Sequence, residues 1–340
     1  MKYLDRFFQP EDWLQASFVN DDGKNIRYGH AEPKGDKKGT VIITTGYADF
    51  IESYYETIND YLDRGYAVWM MDWAGHGGSD KKRTDDQKAQ LIEHHVRDLH
   101  QFRHDIVRVD ADQPVILSTH SVGGQVGLHY LARHQDDFSL AIMAAPLVDL
   151  GIKGMSRSIL KGVFRAAVDM GMGNVVLKEA RKSITRDAAA QRRKKLKGNA
   201  PRMDLHRTFL FMKEQIRAED PTLGLVDSLF RAMEEINEEK TLRSIKTPVL
   251  LGIASEDDVV DNDAVRRAVG LLPHARLVEI NGASHNLWHE QPSLRDHWWK
   301  TVDDFVGAFC PVRFTPPAND SAPFSNDRLR AGQSPKGPQP

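Results

Sequence analysis

Three residues, Ser121, Asp257 and His285, have the types and chain order that nucleophilic acyl transfer requires. Ser121 lies in Leu117-Ser118-Thr119-His120-Ser121-Val122-Gly123-Gly124, after an apolar run and directly before a helical pattern from Gly124 to His134. A serine on so sharp a strand-to-helix turn projects its hydroxyl above the sheet, and the helix N-terminus behind it favours developing negative charge. A serine hydroxyl is a poor nucleophile at neutral pH. It needs a histidine base, and that histidine needs a carboxylate to fix its tautomer and stabilise the imidazolium. Asp257 follows the run Val249 to Ala254, within Ala-Ser-Glu-Asp-Asp-Val-Val-Asp, and His285 follows the next run, within Asn-Gly-Ala-Ser-His-Asn. Both are therefore expected at the same sheet edge as Ser121. Glu256, Asp258 and Asp261 compete for the carboxylate role, and Asp257 is the choice among them.

Acyl transfer also needs donors for the tetrahedral oxyanion. The backbone N–H of Val122 is one candidate, and that of Tyr47, after Thr44-Thr45-Gly46, is the other. The usual nucleophile pattern is G-x-S-x-G, but Thr119 stands at the first glycine. A β-branched residue there crowds the turn unless strand and helix separate slightly. Asp72-Trp73-Ala74-Gly75-His76-Gly77-Gly78-Ser79 is glycine-rich but has neither phosphate-loop nor dinucleotide-loop spacing. His289 and Glu290 lack the H-E-x-x-H order of a zinc site.

The elements that must position these residues alternate. Val41 to Thr45, Ala67 to Trp73, Pro114 to His120, Leu140 to Ala145, Thr247 to Ala254 and Ala275 to Ile280 are short apolar runs, read as buried strands. Leu91 to Val109 carries Ile92, Val96, Leu99, Phe102, Ile106 and Val109 at steps of three and four, which predicts one helix against the sheet. Ala16 to Asn20 and Ile26 to Ala31 predict an antiparallel edge hairpin. The rhythm fails between about Leu147 and Arg243, where helix-like segments such as Thr208 to Ile216 and Leu225 to Ile236 follow one another. An inserted helical cap over the strand C-termini is the expectation, since open α/β sheets bind ligands at that edge. The expected division is core over 1–146, cap over 147–244, core again over 245–310, and a disordered tail over 311–340, where apolar residues almost vanish.

Composition narrows the partners. Of 340 residues, 40% are hydrophobic and 28% charged, enough for one sizeable core, and the formal net charge of -2 gives no global field that would announce a nucleic acid. Cys310 is the only cysteine, which rules out an intramolecular disulfide and a cysteine-based metal cluster. Asp5, Arg6 and Gln9 interrupt the apolar stretch that a secretory signal needs, and no segment approaches the roughly 18 apolar residues of a membrane span. The expectation is a cytoplasmic protein. Arg181, Lys182, Arg186, Arg192, Arg193, Lys194, Lys195 and Lys197 form a basic stretch that leaves peripheral contact with anionic lipid open, beside the plainer reading of a solvated charged helix.

Thr45-Gly46-Tyr47, the motif at 72–79, His120-Ser121-Val122-Gly123-Gly124, Asp257 and His285 together resemble the α/β-hydrolase superfamily, and within it the lysophospholipase and monoacylglycerol lipase group. The resemblance runs from about Ile26 to Phe309, with Ile51-Glu52-Ser53-Tyr54 and Asp220-Pro221-Thr222 also similar to bacterial lysophospholipases. The group commonly has His-Gly where Thr45-Gly46 stands. The resemblance implies a mostly parallel central sheet flanked by helices, hydrolysis of a small-molecule carboxylic ester such as a monoacyl lipid, and a cap that supplies the acyl pocket. It implies no metal and no organic cofactor. Phe209, Leu210, Phe211, Met212, Leu225 and Phe230 are candidates for an acyl tunnel or, alternatively, for packing within the cap. A thioesterase or an acyltransferase could use the same triad, and a non-catalytic binding protein could keep the fold without the chemistry.

Overall fold

The computed structural model describes residues 3–152, 156–177 and 200–310. The expected tail and the basic stretch at 181–197 lie outside the described residues.

The chain opens with β1 (Leu14–Val19) and β2 (Asn25–Ala31), then β3 (Gly39–Thr44), helix α1 (Tyr55–Asp63) and β4 (Tyr66–Met71). Helices α2 (Asp85–Ala89) and α3 (Leu91–Gln101) precede β5 (Val115–His120), α4 (Val122–Arg133) and β6 (Leu140–Ala144). Between β6 and β7 stand α5 (Arg157–Ala167), α6 (Ala200–Met212), α7 (Leu223–Ile236) and α8 (Glu239–Ser244). The sheet resumes with β7 (Val249–Ala254), followed by α9 (Asn262–Val269), β8 (Ala275–Ile280) and α10 (Pro292–Phe309).

All eight strands form one sheet in the order β1-β2-β4-β3-β5-β6-β7-β8. The β1–β2 and β2–β4 pairs are antiparallel and the remaining pairs are parallel. The six apolar runs and the edge hairpin thus fall where expected, with ends shifted by a residue or two. The continuous apolar runs have a simple cause. Side chains alternate between faces along a strand, and here both faces are covered. Ile42, Leu117 and Leu251 enter one core with Ile92, Val96 and Leu99 of α3 and Val126 of α4. Val41, Ile43, Ile116 and Leu250 enter the other, with Ile58 and Tyr61 of α1 and Trp298, Val302 and Phe305 of α10.

Two details depart from the sequence reading. The predicted helix 91–109 is α-helical only to Gln101; Phe102–Ile106 is a π turn, and Val107 is extended. Helices dominate the stretch between β6 and β7, yet Val176 and Thr222 form an isolated antiparallel bridge there. Thr222 accepts a hydrogen bond from the Leu225 N–H and so caps α7, which explains the Asp220-Pro221-Thr222 motif as a helix start.

The glycine-rich turn at 72–79 wraps a carboxylate rather than a phosphate. Asp72 accepts from the N–H of Ile51 at 2.9 Å, the N–H of Gly78 at 2.7 Å and Arg27 Nε at 2.6 Å. Gly77, at φ +48°, has no room for a Cβ beside that carboxylate. The same Arg27 forks onto Glu52 at 2.8 and 2.7 Å, so the loop after β3 is tied to β2 and β4 through buried charge.

Candidate active site

Ser121 stands between β5 and α4 with φ 52° and ψ -118°, one of the few non-glycine residues at positive φ among those described. Such a conformation costs on the order of 1–3 kcal/mol and persists only where neighbours over-determine it. Here the Ser121 N–H donates to the Ala144 carbonyl at 3.1 Å, and its own carbonyl accepts from the N–H groups of Gly124 and Leu147 at 2.9 Å each. Gly123 is required by close approach: a Cβ there would lie 2.7 Å from the Thr45 carbonyl oxygen and 2.8 Å from that of Thr44. The loop after β3 is therefore pressed against the start of α4.

Thr119 is accommodated by glycines on the helix. A Cβ on Gly124 would lie 3.3 Å from Thr119 Oγ1, and one on Gly127 would lie 3.3 Å from Thr119 Cγ2. The space that the first glycine of the pattern would leave on the strand is supplied from α4.

The structure brings the three expected side chains together. His285 Nε2 is 3.0 Å from Ser121 Oγ, and His285 Nδ1 is 2.8 Å from Asp257 Oδ2. The other oxygen of Asp257 accepts from the N–H groups of Val259 and Val260 at 2.8 and 2.9 Å. Burial by itself would raise the Asp257 pKa; the hydrogen bond and charge of His285 and these two N–H groups outweigh it and hold the carboxyl below its usual range. Glu256 and Asp258 are exposed, and Asp261 caps α9 by accepting from the Asp263 N–H. Among the four carboxylates of that loop, Asp257 is the one in hydrogen bond with His285.

Ser121 and His285 are each 7% exposed, so the pair is nearly shut off from bulk water. The loop expected to donate to an oxyanion passes close by: a Cβ on Gly46 would lie 3.2 Å from Ser121 Cβ. Val122 opens α4, so its N–H belongs to the first turn, where the helix supplies no acceptor.

Sequence reasoning missed a polar layer directly beneath. His120, just before Ser121, places Nε2 3.4 Å from the His285 carbonyl oxygen and Nδ1 3.5 Å from Asp49. Asp49 accepts from the Tyr54 hydroxyl at 3.0 Å and lies 3.5 Å from His206 of α6. Burial would raise Asp49, but the hydrogen bond of His120 and the charges of His206, His120 and His289 hold it far below the usual carboxylate range. Burial pushes His289 down to about 4, against the pull of Asp49; its Nε2 donates to the Ser53 carbonyl at 2.8 Å. Glu290 accepts from the Ser284 N–H at 2.6 Å and from its hydroxyl at 2.5 Å, bracing the turn that carries His285. The signal that could have found this layer is slight: His120 is a titratable residue at the end of a strand whose other residues, Val115 to Thr119, carry no charge.

Helix α6 and the residue after it dock through charge on the start of α1 and the segment before it. Arg202 forks onto the buried Glu56 at 2.8 and 2.6 Å, and Lys213 reaches Glu52 at 3.1 Å. The Tyr47 hydroxyl donates to the Glu219 carbonyl at 3.0 Å. Phe209, Leu225 and Phe230 are buried in packing, whereas Phe211 is 91% and Met212 69% exposed, so the latter two face solvent and line no tunnel here. Among the described residues no helix is long and apolar enough to cross a membrane.

Comparison with known proteins agrees with this architecture. The family described as serine aminopeptidase, S33, matches residues 35–292. A probable lysophospholipase L2 of Haemophilus influenzae is 23% identical over 295 residues, covering 83% of this chain and 89% of the relative. The monoglyceride lipase of Mus musculus is 24% identical over 306 residues, 86% of this chain and 92% of that protein. Among solved structures, a soluble variant of the Saccharomyces cerevisiae monoglyceride lipase in complex with a substrate analogue superposes with a TM-score of 0.65 at 15% identity, over 88% of this chain and 98% of that one. The fold is that of the α/β-hydrolases.

Proposed function

From the premise that this chain belongs to the serine aminopeptidase S33 family of α/β-hydrolases, we propose that it cleaves carboxylic esters of monoacyl lipids through an acyl-enzyme on Ser121. The observation that carries the reading is the unbroken hydrogen-bonded line from Ser121 Oγ through the His285 ring to Asp257, at 3.0 and 2.8 Å.

Ser121 Oγ attacks the ester carbonyl while His285 Nε2 takes its proton. The oxyanion is met by the N–H groups of Val122 and Tyr47, and Asp257 holds His285 in the tautomer whose Nε2 is free to accept. His285 then returns the proton to the leaving alcohol as the C–O bond breaks. Water, deprotonated by the same nitrogen, attacks the acyl carbonyl and releases the carboxylic acid and Ser121. His285 then hands the proton taken from water to Ser121 Oγ, so the proton given to the leaving alcohol is replaced over the full cycle, and every catalytic residue comes from this chain. The helices between β6 and β7 act as the cap and provide the apolar walls for the acyl chain. Names of the relatives, lysophospholipase and monoglyceride lipase, favour a single-chain lipid ester.

The test is covalent labelling by a fluorophosphonate probe, followed by hydrolysis of monoacylglycerols, lysophospholipids and acyl thioesters across chain lengths. Labelling lost in Ser121→Ala and a preference for oxygen esters support the reading. A folded wild type that stays unlabelled overturns the mechanism, and a preference for thioesters overturns the substrate class.

A further inference from the structure

On the layer of α3 and α4, outside the line that joins Ser121, His285 and Asp257, the side chains of His100, His104 and Asp137 converge. One donor atom from each lies within 4.8 Å of the other two. We propose that these three residues form a binding site for one divalent cation of borderline softness, of the zinc type.

Chemistry and geometry both suit such an ion. Two imidazole nitrogens and one carboxylate oxygen are a common donor set for zinc, leaving a fourth tetrahedral position for water. Bonds of about 2.0–2.1 Å in a tetrahedron set neighbouring donors about 3.3 Å apart. His104 Nε2 is 3.0 Å from Asp137 Oδ2, close to that spacing, and His100 Nδ1 is 3.9 Å from the same oxygen. Only a modest turn of His100 closes the set.

The positions are supported from behind. The Tyr130 hydroxyl, on a fully buried ring of α4, donates to Asp137 Oδ2 at 2.5 Å and so orients that carboxylate, while its 3.2 Å contact with His100 Nδ1 is given up when that nitrogen takes the metal. Hydrogen bonds of this kind orient ligands and raise their affinity. Arg103 Nε donates to the Asp137 carbonyl at 3.3 Å and fixes the backbone of that turn. The π turn Phe102–Ile106 replaces the regular end of α3, and the His104 ring stands 4.4 Å from the His100 ring, centroid to centroid. π turns recur at functional sites. An ion can enter from solvent, since the His100 and His104 side chains are 45% and 43% exposed and that of Asp137 19%. Arg103 also places a positive charge near Asp137, which opposes a cation and sets a ceiling on affinity. Bound metal would staple the end of α3 to the turn that follows α4, the helix that begins at the nucleophile.

Zinc chloride titrated calorimetrically into the tag-free, chelator-stripped full chain provides the test, with cobalt as a spectroscopic probe of coordination. One site is expected, weakened at least about tenfold in His104→Ala and in Asp137→Asn. Tyr130→Phe loses part of the affinity, Arg103→Gln gains some, and His285→Ala binds as the wild type does. Circular dichroism checks that each variant is folded, and fluorophosphonate labelling does so as well for the variants that keep His285. Folded His104→Ala and Asp137→Asn proteins that bind zinc as tightly as the wild type overturn the proposal. So does a wild type that binds none, or binding that disappears with His285 instead.

Discussion

Thr119 of β5 and Gly127 of α4 face each other across the seam beneath Ser121, close enough that a Cβ on Gly127 would lie 3.3 Å from Thr119 Cγ2. The steric allowance that the nucleophile turn demands has moved from strand to helix. Gly127→Val should therefore destabilise by about 1–3 kcal/mol through overpacking. Thr119→Gly should recover part of that loss, giving a measurable coupling in a urea double-mutant cycle. Strict additivity would show that the two positions do not share space. Gly124→Ala meets Pro146 instead, with a Cβ 2.6 Å from Pro146 Cβ and 2.8 Å from its Cα, so Thr119→Gly should not rescue it.

The triad makes graded kinetic predictions. Ser121→Ala and His285→Ala should each lower kcat by roughly 10⁶, and Asp257→Asn by roughly 10⁴, because removing the orienting carboxylate leaves nucleophile and base in place. Glu256→Gln and Asp258→Asn, on exposed neighbours, should leave ester hydrolysis within about twofold of wild type, as surface changes away from the reacting atoms do. A large loss in Asp258→Asn with activity retained in Asp257→Asn would reassign the carboxylate.

Acid should unfold this protein early. His289 is held at about 4 in the folded chain, against roughly 6.5 when unfolded. Between those values the unfolded state binds a proton that the folded state does not, so stability falls as pH drops from about 6.5 to about 4, by on the order of 3 kcal/mol. His120 is depressed by burial too and adds in the same direction. Asp49, depressed as a carboxylate, adds a further loss at lower pH. Thermal melts across pH 4–7 should show a steeper slope for wild type than for His289→Gln. Equal slopes would remove His289 from the account.

Removing Arg202 should loosen α6. Its guanidinium is 5% exposed and forks onto Glu56, itself 4% exposed, so Arg202→Ala leaves a buried carboxylate with less compensation. Breaking such a pair typically costs about 3–5 kcal/mol. The lower end is expected here, because Arg295 lies 3.7 Å from Glu56 and retains part of the attraction. Limited proteolysis should cut the 200–212 region faster in the variant, and a KM that rises more than kcat falls would place the damage in substrate binding.

Much of the architecture was legible because its signals are local. Apolar runs of strand length, helical spacing from Leu91, and a serine before two glycines each reflect constraints that act within about ten residues. The limits of that legibility have the same origin. The helix from Leu91 passes into a π turn at Phe102, although the apolar spacing continues unbroken to Val109, because spacing records which side faces the core and not which hydrogen bonds close the turn. Phe211 and Met212 look like core residues by type and stand in solvent.

Ser121, Asp257 and His285 were fixed as candidates by residue type and order, since each had to follow a strand of one parallel sheet. Their meeting at 3.0 and 2.8 Å was decided by the sheet order β5-β6-β7-β8, which sets the ends of β5, β7 and β8 along one edge, with only β6 between the first two, across more than 160 residues of chain. The polar layer of Asp49, Tyr54, His120, His206 and His289 belongs wholly to the tertiary structure. Its members come from the segment between β3 and α1, from the end of β5, from α6 and from the turn after β8, and have no shared periodicity. What joins them is burial, which makes an unpaired charge costly enough that each must find the others.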